Sequence, residues 1–298
     1  MTTQVDLAQL LGRAIPTIQI FDVGAMLVEQ DRYHPLVAAG LAQVTGLEPN
    51  PAEYARLQER KGPYRYLPVF LGNGGPATFH LTRYPGCSSL LAPDAAVIDM
   101  FMTIGCADPG GNFFVQRTDR VETVRLDDLG PNIVVDFLKI DVQGYELEIM
   151  RNGTSKLSNT VVIECEVEFV PMYRDQPLFG DIQCFLRDQG FVLHKLIDVG
   201  GRPFRPFSPP NPYLPMSQLL WADAIFVRDF TRLGTYSDDG LLKAAAILDL
   251  VYGSYDLVAL LLGEYDRRSH TDLRQRYLDA LPRRPLQLQF LNVVNYPK

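Results

Sequence analysis

Between Ile18 and about Val170 the chain repeats one pattern: a short apolar or β-branched run ending in polar or glycine residues, then a stretch of helical character. Such alternation builds a parallel sheet covered on both faces, because parallel neighbours need a long crossover between them. Strands are predicted at Thr17–Val23, Val44–Leu47, Tyr66–Leu71, Phe137–Ile140 and Val161–Val167, with Trp221–Val227 as a final sheet strand. Helices are signalled by Asn50-Pro51 before AEYARLQER, by Gly144-Tyr145 before ELEIMRNG and by Asp181 before IQCFLRDQG, with Gly153 and Gly190 as C-caps. The expectation is an α/β fold with a doubly wound, mostly parallel sheet.

Outside that pattern the composition changes twice. Residues 72–126 are rich in Gly, Thr and Phe and read as β-rich insertions and loops overhanging a site, while GGRPFRPFSPPNPYLP at 200–215 reads as an ordered loop or lid. From Ser237 to Leu281 apolar residues recur at helical spacing, which predicts a small appendage of about three helices. The division expected is 1–230 for the main domain and 231–298 for the helical appendage.

Several function classes are excluded at this level. The most apolar stretch, Leu241–Gly263, carries Lys243, Asp249 and Asp256, each penalised by about 2.5–3.5 kcal/mol at a bilayer centre, so no membrane span is expected. The first residues show no secretory leader, and Cys87, Cys106, Cys165 and Cys184 form no CxxC pair, so a cytoplasmic protein with reduced thiols is expected. A net charge of -7 without a Lys/Arg cluster argues against a nucleic-acid partner.

Three motifs carry chemistry. Ile18–Ala25 is a strand ending in Asp22-Val23-Gly24-Ala25, where a nucleotide-like ligand would sit and Gly24 would admit it closely. Glu48 follows roughly 20 residues later, the spacing expected of a carboxylate accepting bonds from ribose hydroxyls. The single-glycine turn spells out no diphosphate cradle, which favours S-adenosylmethionine over a nicotinamide cofactor and leaves an oxidoreductase as the weaker enzyme alternative. The third motif, VDFLKIDVQGYE, delivers Asp141 and Gln143 at a strand's carboxyl end, and the next strand places Glu164, Glu166 and Glu168 on one face. Carboxylates so gathered must be solvated, paired or bound to a cation.

FDVGA, GLEPNPAEYARL, PGCSSLL, TVRLDDLG, DFLKIDVQGYELEIM and VVIECEVEFVPMYRDQPLFGDI together resemble the FkbM family of S-adenosylmethionine-dependent methyltransferases over residues 17–230. The resemblance implies a Rossmann-like fold and a donor site with Asp22, Gly24 and Ala25 near the methionine moiety and Glu48 on the ribose. It further implies Asn73 and Gly74 near adenine, Ser88 and Ser89 on the donor carboxylate, and Asp141 and Gln143 facing the reaction centre.

Methyl transfer to a hydroxyl requires alignment of donor and acceptor and a base or Lewis acid for the acceptor proton. Asp141 is the first candidate for base or metal ligand, and His194 and His34 are rival bases. Mg²⁺ bridging Asp141 with Glu164 or Glu166 is the candidate metal arrangement. The expected activity is O-methylation of a small-molecule or sugar-like acceptor, with a homodimer as the partner expectation. The alternative is a catalytically inactive ligand-binding or protein-interaction module on the same fold.

Overall fold

The computed structural model describes residues 15–26 and 31–281. The first residues, read for a leader, and residues 282–298 of the expected appendage lie outside that range, as do residues 27–30. In chain order the strands are β1 (Ile18–Val23), β2 (Ala42–Leu47), β3 (Tyr64–Leu67), β4 (Phe70–Leu71), β5 (Pro76–Thr82), β6 (Val115–Val124), β7 (Phe137–Ile140), β8 (Val162–Glu168), β9 (Phe191–Gly200) and β10 (Trp221–Arg228). The helices are α1 (His34–Ala38), α2 (Pro51–Gln58), α3 (Ala95–Ile98), α4 (Glu146–Arg151), α5 (Thr154–Leu157), α6 (Phe179–Asp188), α7 (Asp238–Leu250), α8 (Tyr255–Ser269) and α9 (Leu273–Ala280).

Seven strands form one sheet in the order β3-β2-β1-β7-β8-β10-β9. The chain is thus α/β, with a mostly parallel central sheet: β1, β7 and β8 run parallel, β2 runs parallel to β3, and β10 is antiparallel to both β8 and β9. The expected final strand is therefore inserted in reverse between β8 and an edge strand, β9, that was not anticipated. Its FVLHKLI run carried β-forming residues but was overshadowed by the helix before it.

The expected strand Tyr66–Leu71 is in fact two. Pro68 has no N–H to donate to a ladder, and the chain leaves the large sheet there, with β4 pairing instead with β6 in a three-stranded sheet ordered β4-β6-β5. The glycine-rich region 72–126 is accordingly β-containing. The proline-rich segment is fastened to residues 100–104: Arg205 donates through its backbone N–H to the Met100 carbonyl and through its guanidinium to the Phe101 and Ile104 carbonyls.

Period-two alternation divides the sheet faces. Phe21, Val23, Leu138, Ile140, Ile163, Cys165 and Val167 point into a buried apolar cluster with Leu147, Ile182 and Leu186 from the helices. The opposite face carries Asp22, Lys139, Glu164, Glu166 and Glu168, so its polar residues gather toward the strands' carboxyl ends. The chain divides into two compact units: one of residues 18–29 and 43–231, the other of residues 1–17, 30–42 and 232–298. In the second unit α8 packs against α7 and α9, and the buried Tyr277 hydroxyl donates to the buried Asp249 carboxylate at 2.6 Å.

Candidate active site

Three neighbouring strands, β2, β1 and β7, end side by side. The Leu47 carbonyl accepts both the Gly24 and Ala25 N–H groups, and Asp141 N–H donates to the Val23 carbonyl. The crossing is so tight that a Cβ on Gly24, whose φ is +83°, would stand 2.0 Å from the Asp141 carbonyl oxygen. That glycine is demanded by the chain's own backbone, which adds a reason the motif reading did not contain.

Carboxylates cluster at these ends. Asp22, 1% exposed, pairs at 3.2 Å with Lys139, its register partner on β7, and Lys139 in turn stands beside Glu164 on β8. Burial alone would push the Lys139 ammonium down, but Asp22, Asp141 and Glu164 together hold it above its ordinary value. Glu48, just beyond β2, is buried and accepts the Asn50 N–H at 2.7 Å. Burial pushes its carboxyl up to about 7, with Glu53 and Asp22 adding to the shift.

Next to this row lies a second group. Among the described residues, ligand oxygens of Asp141, Glu146 and Glu166 all come within 4.8 Å of one another. Glu146 opens α4 and ties down the preceding turn, accepting the Val142 and Gly144 N–H groups at 2.8 and 3.1 Å. The Gln143 amide nitrogen donates to Asp141 Oδ1 at 3.0 Å and to Glu166 Oε2 at 2.5 Å. Burial pushes Glu146 up to about 7 and Glu166 and Glu168 well above the usual carboxylate range, each reinforced by its acidic neighbours. Tyr173, fully buried, places its hydroxyl 3.0 Å from Gln143 Oε1 and 2.9 Å from the Cys87 carbonyl.

The other expected site residues are distributed differently. Ser88 Oγ accepts the Thr82 N–H at 3.1 Å, and the buried Ser89 hydroxyl donates to the Gln143 carbonyl at 2.8 Å while accepting the Leu91 N–H at 2.9 Å. Ser89 therefore braces the loop around Gln143, and Ser88 ties its own turn to the end of β5. The Ala25 side chain packs with Leu57 and Tyr66. Asn73 and Gly74 sit on an exposed turn of the small sheet, where Asn73 Oδ1 accepts the Gly75 N–H and Gly74 N–H reaches the Thr123 hydroxyl.

Two candidates are not drawn into the acidic group. His194 falls at the bulge of the edge strand β9, with β10 and β8 between it and β7. Glu164 sits one register step back, opposite Lys139, while Glu146 completes the carboxylate set with Asp141 and Glu166. The gathered set thus differs in one member from the expected Asp141, Glu164 and Glu166, because strand alternation places Glu164 and Glu166 on one face without saying how far along the strand each reaches. His34 opens α1 in the other compact unit.

Lys139 and Glu146 have no part in the site expected from sequence. Lys139 was open to detection, since it alternates with Asp141 on one strand. Glu146 was masked because an acid in a helix's first turn is ordinary there.

Comparison with known proteins gives two kinds of similarity. Residues 22–193 match the family model described as the methyltransferase FkbM domain. No curated protein sequence matches the chain. Among solved structures, magnesium protoporphyrin IX methyltransferase from Synechocystis PCC 6803, solved with bound SAM, aligns at 14% identity over 74% of this chain and 76% of its own, with a TM-score of 0.37. Precorrin-6y C5,15-methyltransferase from Geobacter metallireducens GS-15 aligns at 15% identity over 76% and 92%, with a TM-score of 0.34. At such scores the likeness says nothing about ligand or acceptor.

Proposed function

The chain belongs to the FkbM methyltransferase family, and from that premise we propose that it transfers the methyl group of S-adenosylmethionine to a hydroxyl of a small-molecule or sugar-like acceptor. The observation that carries this reading is the acidic row at three adjoining strand ends. Asp22, Glu48 and Asp141 line the place where ligands bind in open α/β sheets. Their charge suits a cationic sulfonium donor, and the buried Glu48 carboxyl gains by accepting ribose hydroxyls.

The donor, when bound, supplies a methyl carbon already activated for displacement: the oxygen–carbon bond forms as the carbon–sulfur bond breaks and sulfur keeps the electron pair. What remains for the chain is alignment and removal of the acceptor's proton. Asp141, next to the reacting centre in this reading, takes that proton. Asp22, Gly24 and Ala25 shape the wall near the methionine moiety, and Asn73 and Gly74 are assigned to the adenine side. Ser88 and Ser89 are assigned to the donor carboxylate, and Ser89 also holds the Gln143 loop. Mg²⁺ does not fit the group as it stands, because the Gln143 amide nitrogen lies between Asp141 and Glu166, so no step is routed through a metal.

Donor binding is assigned to the unit of residues 18–29 and 43–231, which differs from the expected division at 230 because residues 1–17 and 30–42 group with 232–298, in a cytoplasmic enzyme with a homodimer as its assembly. Among the described residues, no helix is long and apolar enough to cross a membrane.

Calorimetry with S-adenosylmethionine and S-adenosylhomocysteine, followed by methyl release across a panel of hydroxylated acceptors, tests the assignment. Binding with turnover is expected. Binding without turnover on any acceptor supports the non-catalytic module instead, and absence of binding overturns the donor assignment. Asp141→Asn should reduce turnover by about 10²–10⁴-fold with donor affinity little changed; equal loss of both would make Asp141 a binding residue.

A further inference from the structure

Gln143 stands out at every level of its geometry. Its φ of +61° is left-handed, which residues with side chains adopt uncommonly, and Gly144 follows at +98°. The backbone is pinned in that shape: the Gln143 carbonyl accepts the hydroxyl of Ser89, and Glu146 accepts the N–H groups of Val142 and Gly144 on either side. The amide is then aimed by Tyr173, whose hydroxyl stands 3.0 Å from Oε1 and so leaves both Nε2 protons for carboxylates. Those protons meet Asp141 Oδ1 at 3.0 Å and Glu166 Oε2 at 2.5 Å.

We propose that Gln143 is a positioning residue whose side-chain amide stands where a divalent cation would otherwise be required, holding Asp141 and Glu166 together for acceptor activation. The role in activation rests on the reading that Asp141 faces the reaction centre; the clamp itself rests on geometry alone. Half-buried carboxylates this close repel one another unless one keeps a proton or positive charge density stands between them. Here an amide with two donors supplies it. A hard cation bridging Asp141 and Glu166 would need a place about 2.0–2.1 Å from an oxygen of each, between the two carboxylates that Nε2 now joins, with Glu146 as the third carboxylate of the set. The loop therefore fills by itself the position that the carboxylate set would offer to a metal.

Mn²⁺ alone, followed by electron paramagnetic resonance, tests the clamp without any acceptor. The wild-type chain and its Glu166→Gln variant should bind Mn²⁺ equally weakly. Gln143→Gly, which suits the left-handed backbone, and Gln143→Glu, which keeps the side chain's size, should each gain one bound ion at roughly tenfold or higher affinity. Adding Glu166→Gln to either should abolish the gain. A wild-type Mn²⁺ site lost on Glu166→Gln would overturn the proposal, as would two folded variants that gain no ion. Donor calorimetry on the wild type is a separate readout: its failure removes the methyltransferase reading and leaves the Mn²⁺ result standing.

Discussion

Glu48, assigned above to the ribose, is a buried carboxyl that costs stability. Its folded carboxyl sits near 7 against an ordinary 4.5, so the folded state holds the proton more tightly than the unfolded one. Stability from this group is therefore highest below 4.5, declines as pH rises toward 7, and stays reduced above it. Glu48→Gln should raise unfolding free energy at pH 8 by about 1–3 kcal/mol and leave pH 4 nearly unchanged, as read by urea denaturation. The same variant should weaken S-adenosylmethionine binding in calorimetry; unchanged affinity would remove Glu48 from the ribose. Gly24 fails in the other direction. Alanine there meets the Asp141 carbonyl in a left-handed backbone, and Gly24→Ala should lower stability by about 3 kcal/mol or more, measured by the same denaturation.

At the scale of elements, Arg228 is the staple of the sheet's reversed strand. It ends β10 and sends its guanidinium to the carbonyls of Thr160, Gln189, Leu157 and Ser158, while lying 4.3 Å over the Phe191 ring. Those carbonyls belong to the turns that lead into β8 and β9, so one cation fixes the entry of two strands. Arg228→Met keeps the stem and loses the charged bonds, and should destabilise by about 2–4 kcal/mol in thermal or chemical unfolding. In the helical unit, Tyr277→Phe removes a bond to a buried carboxylate. A loss of about 1.5–3 kcal/mol is expected, and a loss below about 0.5 kcal/mol would show that Asp249 needs no help from that hydroxyl.

For the molecule as a whole, a donor that binds only the folded chain must stabilise it by mass action, by about 2.7 kcal/mol at a hundredfold excess over Kd. A melting midpoint that rises with S-adenosylmethionine and not with NADH is expected in differential scanning calorimetry. What the sequence by itself determined was the parallel α/β order of β1, β2, β7 and β8, the helical character of residues 238–280, and the acids at strand ends. Those follow from period-two and helical patterning, which are local and survive in one dimension. Only the tertiary structure decided that Pro68 hands the chain to a second sheet, that β10 enters in reverse, and that Ser89 braces Gln143. It also decided that Glu146, and not Glu164, completes the carboxylate set. Pairing partners, register and the reach of a side chain across strands are long-range quantities: residues 141 and 166 meet because β7 and β8 align, and nothing within either segment encodes that alignment alone.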